Sequence, residues 1–283
     1  MNFGINTFLF TSPFTNHSVH LFKQFKEWGF DSVEIAIENP DDIDPQFVKA
    51  ELDRHELKCH VVCAALSPVL DLRGTLEHQL NALAYLKGLM DKMVVLGATI
   101  LAGPLYSSVG RADMVPADEY LEQWKTVTKH LKTLSRYAEE RNIRLAIEPL
   151  NRFETDFINT VDQGLKMVKD VDSPALCLHL DTFHMNIEEK DQSQAILKAG
   201  SYLGHFHACG CDRGTPGNDH INWLGIVHAL KSINYKGSIV IESFTPDVKV
   251  IARAAAIWRQ TELSQESIAK NGVEFLKKIF AVS

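Results

Sequence analysis

Four apolar runs in the second half of the chain carry ionisable side chains toward their C-terminal ends. R-L-A-I-E-P-L holds Glu148, and C-L-H-L-D-T-F-H holds His179, Asp181 and His184. G-H-F-H-A-C-G holds His205 and His207, and I-V-I-E-S-F holds Glu242. Strands covered on both faces are ordinarily apolar throughout. A lone buried carboxylate costs several kcal/mol, and acids converging on one mouth repel each other as well. A divalent cation removes both penalties together, so Glu148, Asp181, His207 and Glu242 are the expected metal ligands. Three oxygens and one imidazole suit a fairly hard six-coordinate ion, Mn2+ first, with Mg2+ or Co2+ as alternatives. Zinc prefers more nitrogen or sulfur. About two octahedral positions then remain, enough for adjacent oxygens of an α-hydroxy-ketone. His179 and His205 read as satisfied core histidines. His17, His20, His55, His78 and His130 read as surface or helix-packing residues.

The elements that must position these groups alternate regularly. Strands are expected over 3–9, 32–38, 58–64, 99–102, 144–150, 175–181, 203–208 and 237–244. Between them fall helices over 17–28, 45–55, 76–96, 116–142, 160–171, 188–199 and 223–233, with outer helices near 248–261 and 266–280. Leu21, Phe22 and Phe25 mark one helix face, Gly29 and Gly97 close helices, and Pro45 opens one. Eight such units imply right-handed crossovers and a parallel sheet. No G-x-G-x-x-G follows the first strand, which argues against an open dinucleotide-binding sheet. The predicted fold is therefore α/β, a (β/α)8 TIM barrel over residues 1–283 as a single domain, with an additional C-terminal helix. Barrel chemistry sits at the C-terminal ends of the strands, where 40–44, 67–75 and 105–116 are expected to form walls.

Composition narrows the partners. The net charge of −7 and the lack of a Lys/Arg tract argue against nucleic acid. No run of apolar residues is long enough for a membrane helix, and the first ten residues do not resemble a signal peptide. Five cysteines, with no four-cysteine zinc spacing, fit a reducing cytoplasm.

The same blocks carry a resemblance. I-E-P-L-N-R-F-E (147–154), L-D-T-F-H-M-N-I-E-E (180–189), G-H-F-H (204–207), D-R-G-T-P-G (212–217) and I-V-I-E-S-F (239–244) make the chain similar to the ketose 3-epimerases. That group includes the tagatose and psicose 3-epimerases, within the sugar isomerase and epimerase barrels. The resemblance, with the barrel pattern, covers nearly the whole chain. It implies metal ligation by Glu148, Asp181, His207 and Glu242, with Glu148 and Glu242 doubling as the catalytic acid–base pair. It implies substrate binding by Glu154, His184 and Arg213. It further implies Mn2+ dependence, free ketose sugars as substrates, and a homodimer or homotetramer. The chain departs from the pattern at Asn6, where an aromatic is usual, and near Val109, where a tryptophan is usual. Phe14 keeps an aromatic where tryptophan is common. These departures leave the particular ketose open.

The expected reaction removes the C3 proton of a ketose on one face and returns a proton on the other through an enediolate, with one glutamate on each side. Phe153, Phe183 and Phe206 either narrow this site or pack the core, and Arg111 reads as a solvated loop arginine. An aldose–ketose isomerase and an inosose-type dehydratase remain open on these residues. A phosphodiester nuclease or a sugar-binding module fits them less well.

Overall fold

A computed structural model describes residues 1–282. Eight strands pair in chain order, all parallel, and the eighth closes on the first. They are β1 Asn2–Asn6, β2 Ser32–Ile37, β3 Val61–Ala64, β4 Ile100–Gly103, β5 Arg144–Ile147, β6 Leu176–Asp181, β7 Leu203–Ala208 and β8 Ser238–Ile241. The helices are α1 Leu21–Glu27, α2 Pro45–Arg54, α3 Leu76–Leu96, α4 Ala117–Glu139, α5 Val161–Val171, α6 Thr182–Glu188, α7 Gln192–Ala199, α8 Trp223–Ser232, α9 Lys249–Ala254 and α10 Gln265–Val282. The predicted (β/α)8 barrel and its final helix are both present.

Local chemistry sets the boundaries that differ from expectation. β1 stops at Asn6 because the Asn6 side-chain oxygen accepts from Phe8 N at 2.9 Å and starts a 3-10 turn over Thr7–Leu9. The helix expected from 17 begins as a 3-10 turn, Asn16–His20, before α1. The helix expected over 188–199 starts at Gln192, capped by Asp191. The preceding α6 is launched directly from β6 by Asp181, whose side chain caps it. The outer helix near 248–261 shrinks to α9, and Ala256 beyond it takes a left-handed φ of 56°.

Strand alternation divides the core into two environments. Ile5, Ile35, Leu101, Leu145, Leu178, Leu180, Phe206 and Ile239 face outward and pack with the helices in one large cluster. Inside the barrel, a floor of Val61, Ala102, Ala146 and Cys177 is small and apolar. Above that floor the inward positions turn polar. β7 needs a correction to its register to contribute. Pairing runs Leu178–Leu203 and then His179–His205, so Gly204 is an extra residue. A Cβ there would lie 2.3 Å from Cys177 Sγ, so the position requires glycine. The bulge turns His205 and His207 inward and leaves Phe206 among the outer core residues.

Candidate active site

Each expected metal ligand stands at the upper end of its strand. Glu148 follows β5, and its backbone is fixed by Glu148 N donating to Gly103 O (3.1 Å) and Tyr106 Oη donating to Glu148 O (2.7 Å). Asp181 ends β6, with Oδ1 accepting from Phe183 N at 2.8 Å. His207 lies in β7, and Glu242 directly follows β8. All four are buried, and one ligand atom from each lies within 4.8 Å of the others. Donors about 2.2 Å from a common six-coordinate ion stand roughly 3–4.4 Å apart, so this spacing fits a small divalent cation. Glu148 Oε1 and His207 Nδ1 are buried without a hydrogen-bond partner. Orphaned atoms aimed into one cluster are what a missing ion leaves behind.

The electrostatics agree. Burial, and then the Glu242 carboxylate, push the Glu148 carboxyl well above its usual range. Burial likewise raises Asp181 to about 6, against the pull of Arg213. Burial opposes ionisation of Glu242 too, but His207 and Arg213 outweigh it and hold this carboxyl low. The acids cannot all ionise comfortably without added positive charge. A cation has to displace protons to bind, so affinity is coupled to pH. Mn2+ affinity is therefore expected to rise with pH through about 6, by up to about tenfold per unit for each proton displaced. Calorimetry across that range in buffers of different ionisation enthalpy reads this directly. A flat affinity would contradict it.

Arg213 supplies part of the compensation. Its Nη1 donates to Asp181 Oδ2 (3.0 Å) and Glu242 Oε2 (3.1 Å), and Nη2 lies 3.6 Å from Glu154 Oε1. The guanidinium sits between two rings, 4.1 Å from the centre of Phe183 and 4.7 Å from that of Phe244. Arg213 reaches this place with a left-handed φ of 66°, a strain of about 1 kcal/mol. Arg213 N donating to Gly210 O and Phe244 N donating to Arg213 O hold the turn.

His184 Nδ1 accepts from Asn151 N at 3.0 Å, and Nε2 lies 3.1 Å from Arg213 Nη2 and 3.7 Å from Glu148 Oε1. Burial, and then Arg213, keep this ring neutral by lowering its pKa well below the usual value. Asn151 Nδ2 also donates to Glu154 Oε1 at 2.8 Å. Glu148, Glu154, His184, Arg213 and Glu242 all line one cavity of about 630 Å³. Its far wall is apolar and includes Ala65, Leu66, Leu70, Val109 and Ile251. The segments 67–75 and 105–116 contribute to it as expected, but 40–44 does not. Phe8, two residues beyond Asn6, brings an aromatic ring to this cavity.

Several expectations change. Phe153 is 75% exposed and neither narrows the site nor packs the core, Phe183 supports Arg213, and Phe206 packs the outer core, one of its two expected roles. Arg111 is part-buried and ion-paired rather than a free loop arginine, its Nη1 lying 2.8 Å from Asp71 Oδ2. His179 and His205 are fully buried but not satisfied. Neither ring of the two makes a hydrogen bond, although His179 Nδ1 lies 3.5 Å from Glu148 and His205 Nε2 2.7 Å from Glu34. Glu34 itself was not anticipated. It is only 1% exposed, and Oε1 lies 2.9 Å from His207 Nε2. The signal was available, since Glu34 interrupts the apolar strand S-V-E-I-A-I as the other acids interrupt theirs.

A buried acid–imidazole cluster at the mouth of a (β/α)8 barrel marks the class of TIM-barrel enzymes, and comparison with known proteins makes the placement specific. The family described as "Xylose isomerase-like TIM barrel" matches residues 22–279. A Synechocystis sp. protein named "Probable ketose 3-epimerase" is 35% identical over 99% of this chain and 97% of its own length. A Methylomonas sp. L-ribulose 3-epimerase is 31% identical over 88% of this chain and 87% of its own. The crystal structure of a D-allulose 3-epimerase from Methylomonas sp. superposes with a TM-score of 0.92 at 28% identity, covering 99% of this chain and 98% of that one. The chain belongs to the ketose 3-epimerases of the xylose isomerase-like barrels, and is an enzyme acting on carbohydrates. Among the described residues, no helix is long and apolar enough to cross a membrane.

Proposed function

We propose that the protein is a metal-dependent ketose 3-epimerase that inverts C3 of free ketoses, with Glu148 and Glu242 as its acid–base pair. The observation that carries this reading is the placement of the two carboxylates. They enter one cavity from β5 and β8, three strands apart around the barrel, with the remaining ligand set, Asp181 and His207, beneath them. A planar enediolate held between two carboxylates can lose a proton to one and gain a proton from the other, and that sequence inverts the carbon. A single base returns the proton to the side it left.

Glu148, Asp181, His207 and Glu242 would hold the cation, for which Mn2+ fits the donor set best, with Mg2+ or Co2+ next. When bound, the ion supplies Lewis-acid polarisation of the hydroxy-ketone and neutralises the acid cluster. Arg213 presents its fixed fork of donors to sugar oxygens. His184 and Glu154, both held by Asn151, line the cavity where sugar hydroxyls would sit, and Glu154 offers them a carboxylate. The apolar far wall contacts the distal carbons and excludes water from the reacting end.

Incubation of free C4 to C6 ketoses with the Mn2+-loaded protein in D2O, read by NMR, tests the reading. Deuterium at C3 together with the C3 epimer is the expected result. Label confined to C1 or C2 would make the protein an aldose–ketose isomerase, and an unsaturated or dicarbonyl product would make it a dehydratase.

A further inference from the structure

We propose that Glu34 and Asn6 act together as positioning residues, Glu34 aiming the His207 ring and Asn6 aiming the Glu242 carboxylate. The inference rests on the functional reading above.

Glu34 lies deep in the barrel among two imidazoles, the Asn6 amide and the Glu242 carboxylate, which comes within 4.8 Å. Oε1 is 2.9 Å from His207 Nε2, and Oε2 is 2.7 Å from His205 Nε2. Burying a carboxylate costs several kcal/mol, and an apolar side chain would fill the same space without that cost. The geometry supplies a reason for the acid. A carboxylate facing Nε2 requires the proton on that nitrogen, so the Nδ1 lone pair is left free. Nδ1 is the ring atom that lies 3.5 Å from Glu242 Oε2 and has no hydrogen-bond partner. A carboxylate behind a ligating histidine fixes both tautomer and ring orientation.

Asn6 extends the same device to the second acid. Its Oδ1 accepts from Phe8 N, so the orientation of the amide is determined and its NH2 must face the carboxylates. Nδ2 donates to Glu34 Oε1 at 2.8 Å and to Glu242 Oε1 at 3.2 Å. One amide thus ties the buried acid behind His207 to an acid in front of it. Glu242 Oε2 is held separately by Arg213 at 3.1 Å, so both Glu242 oxygens are restrained. An aromatic residue at position 6 could not make both of these donations.

The test uses the metal-free protein, Mn2+ and two variants. Nitrogen-15 NMR of metal-free wild type, at a pH where the His207 ring is neutral, should show the Nε2–H tautomer. Calorimetry should show Glu34→Gln binding Mn2+ about 10–100-fold more weakly. Asn6→Ala should keep Mn2+ affinity within about threefold yet lose about tenfold or more in kcat at saturating Mn2+, with little change in KM. An Nδ1–H tautomer in wild type overturns the proposal whether or not a variant folds. So does wild-type Mn2+ affinity in Glu34→Gln. A wild-type protein that binds no divalent cation would instead overturn the functional reading, with the tautomer still deciding the role of Glu34.

Discussion

Glu242→Gln is expected to abolish epimerisation, lowering kcat by about 10²–10⁴-fold at saturating Mn2+, while still exchanging the C3 hydrogen of one epimer with solvent. The amide has the shape of the acid but cannot take or give the proton. Glu148 remains in place to work its own face. A substrate whose C3 hydrogen points toward Glu148 should therefore wash in deuterium without inverting, and its epimer should stay inert. Glu148→Gln should reverse the pattern, so that the two epimers exchange roles. Glutamine at 242 has a second effect, because both Glu242 oxygens accept hydrogen bonds, from Asn6 and from Arg213. The amide can satisfy only one of these donors and sets its NH2 against the other. Some loss of Arg213 placement, seen as a raised KM, should accompany the fall in kcat. NMR of each epimer in D2O with each variant reads all of this. Exchange of both epimers by either variant would remove the two-base assignment, and full turnover would remove the catalytic role.

Rigorous metal removal should have the other large effect, eliminating turnover and lowering thermal stability together. Glu148, Asp181 and Glu242 are compensated in part by Arg213, and the remaining repulsion weakens the metal-free fold. Ligand binding at 100 times Kd stabilises a fold by about 2.7 kcal/mol, on the order of 5–10 °C in Tm for a large domain. Mn2+ should restore activity with half-saturation near its Kd, while Tm keeps rising logarithmically with concentration above it. Differential scanning fluorimetry beside a rate assay makes the comparison. A stripped protein that turns over at the full rate would end the metal assignment.

The barrel was legible because its evidence is repeated along the chain. Apolar strands alternate with amphipathic helices, and Gly97 and Pro45 mark helix ends as their backbone chemistry requires. The clustering of the four proposed ligands was legible because each charged residue breaks an otherwise apolar run at the strand's outlet. Glu34 escaped the same logic because strands in a closed barrel are staggered. It pairs in register with Asn6, the last residue of β1, yet sits three residues before the end of β2. Height in the barrel is therefore not the same as distance from a strand's end. Arg111 was misread because its partner, Asp71, belongs to another loop. Phe153 was misread because strand and helix periods say nothing about where a loop side chain points. The bulge at Gly204 was likewise hidden, since one inserted residue leaves the apparent alternation of β7 intact.

The unequal contribution of the eight strands has a consequence for how such an enzyme diversifies. The proposed reacting and ligating groups come from β5 through β8, backed by β1 and β2. β3 and β4 send no carboxylate or imidazole inward, and the apolar wall rises above them through Ala65, Leu66 and Val109. Changes in those two loops can therefore reshape the room for a sugar's tail without touching the atoms that move protons. Preference for chain length and tail stereochemistry can drift on one side of the molecule while the chemistry on the other side stays fixed.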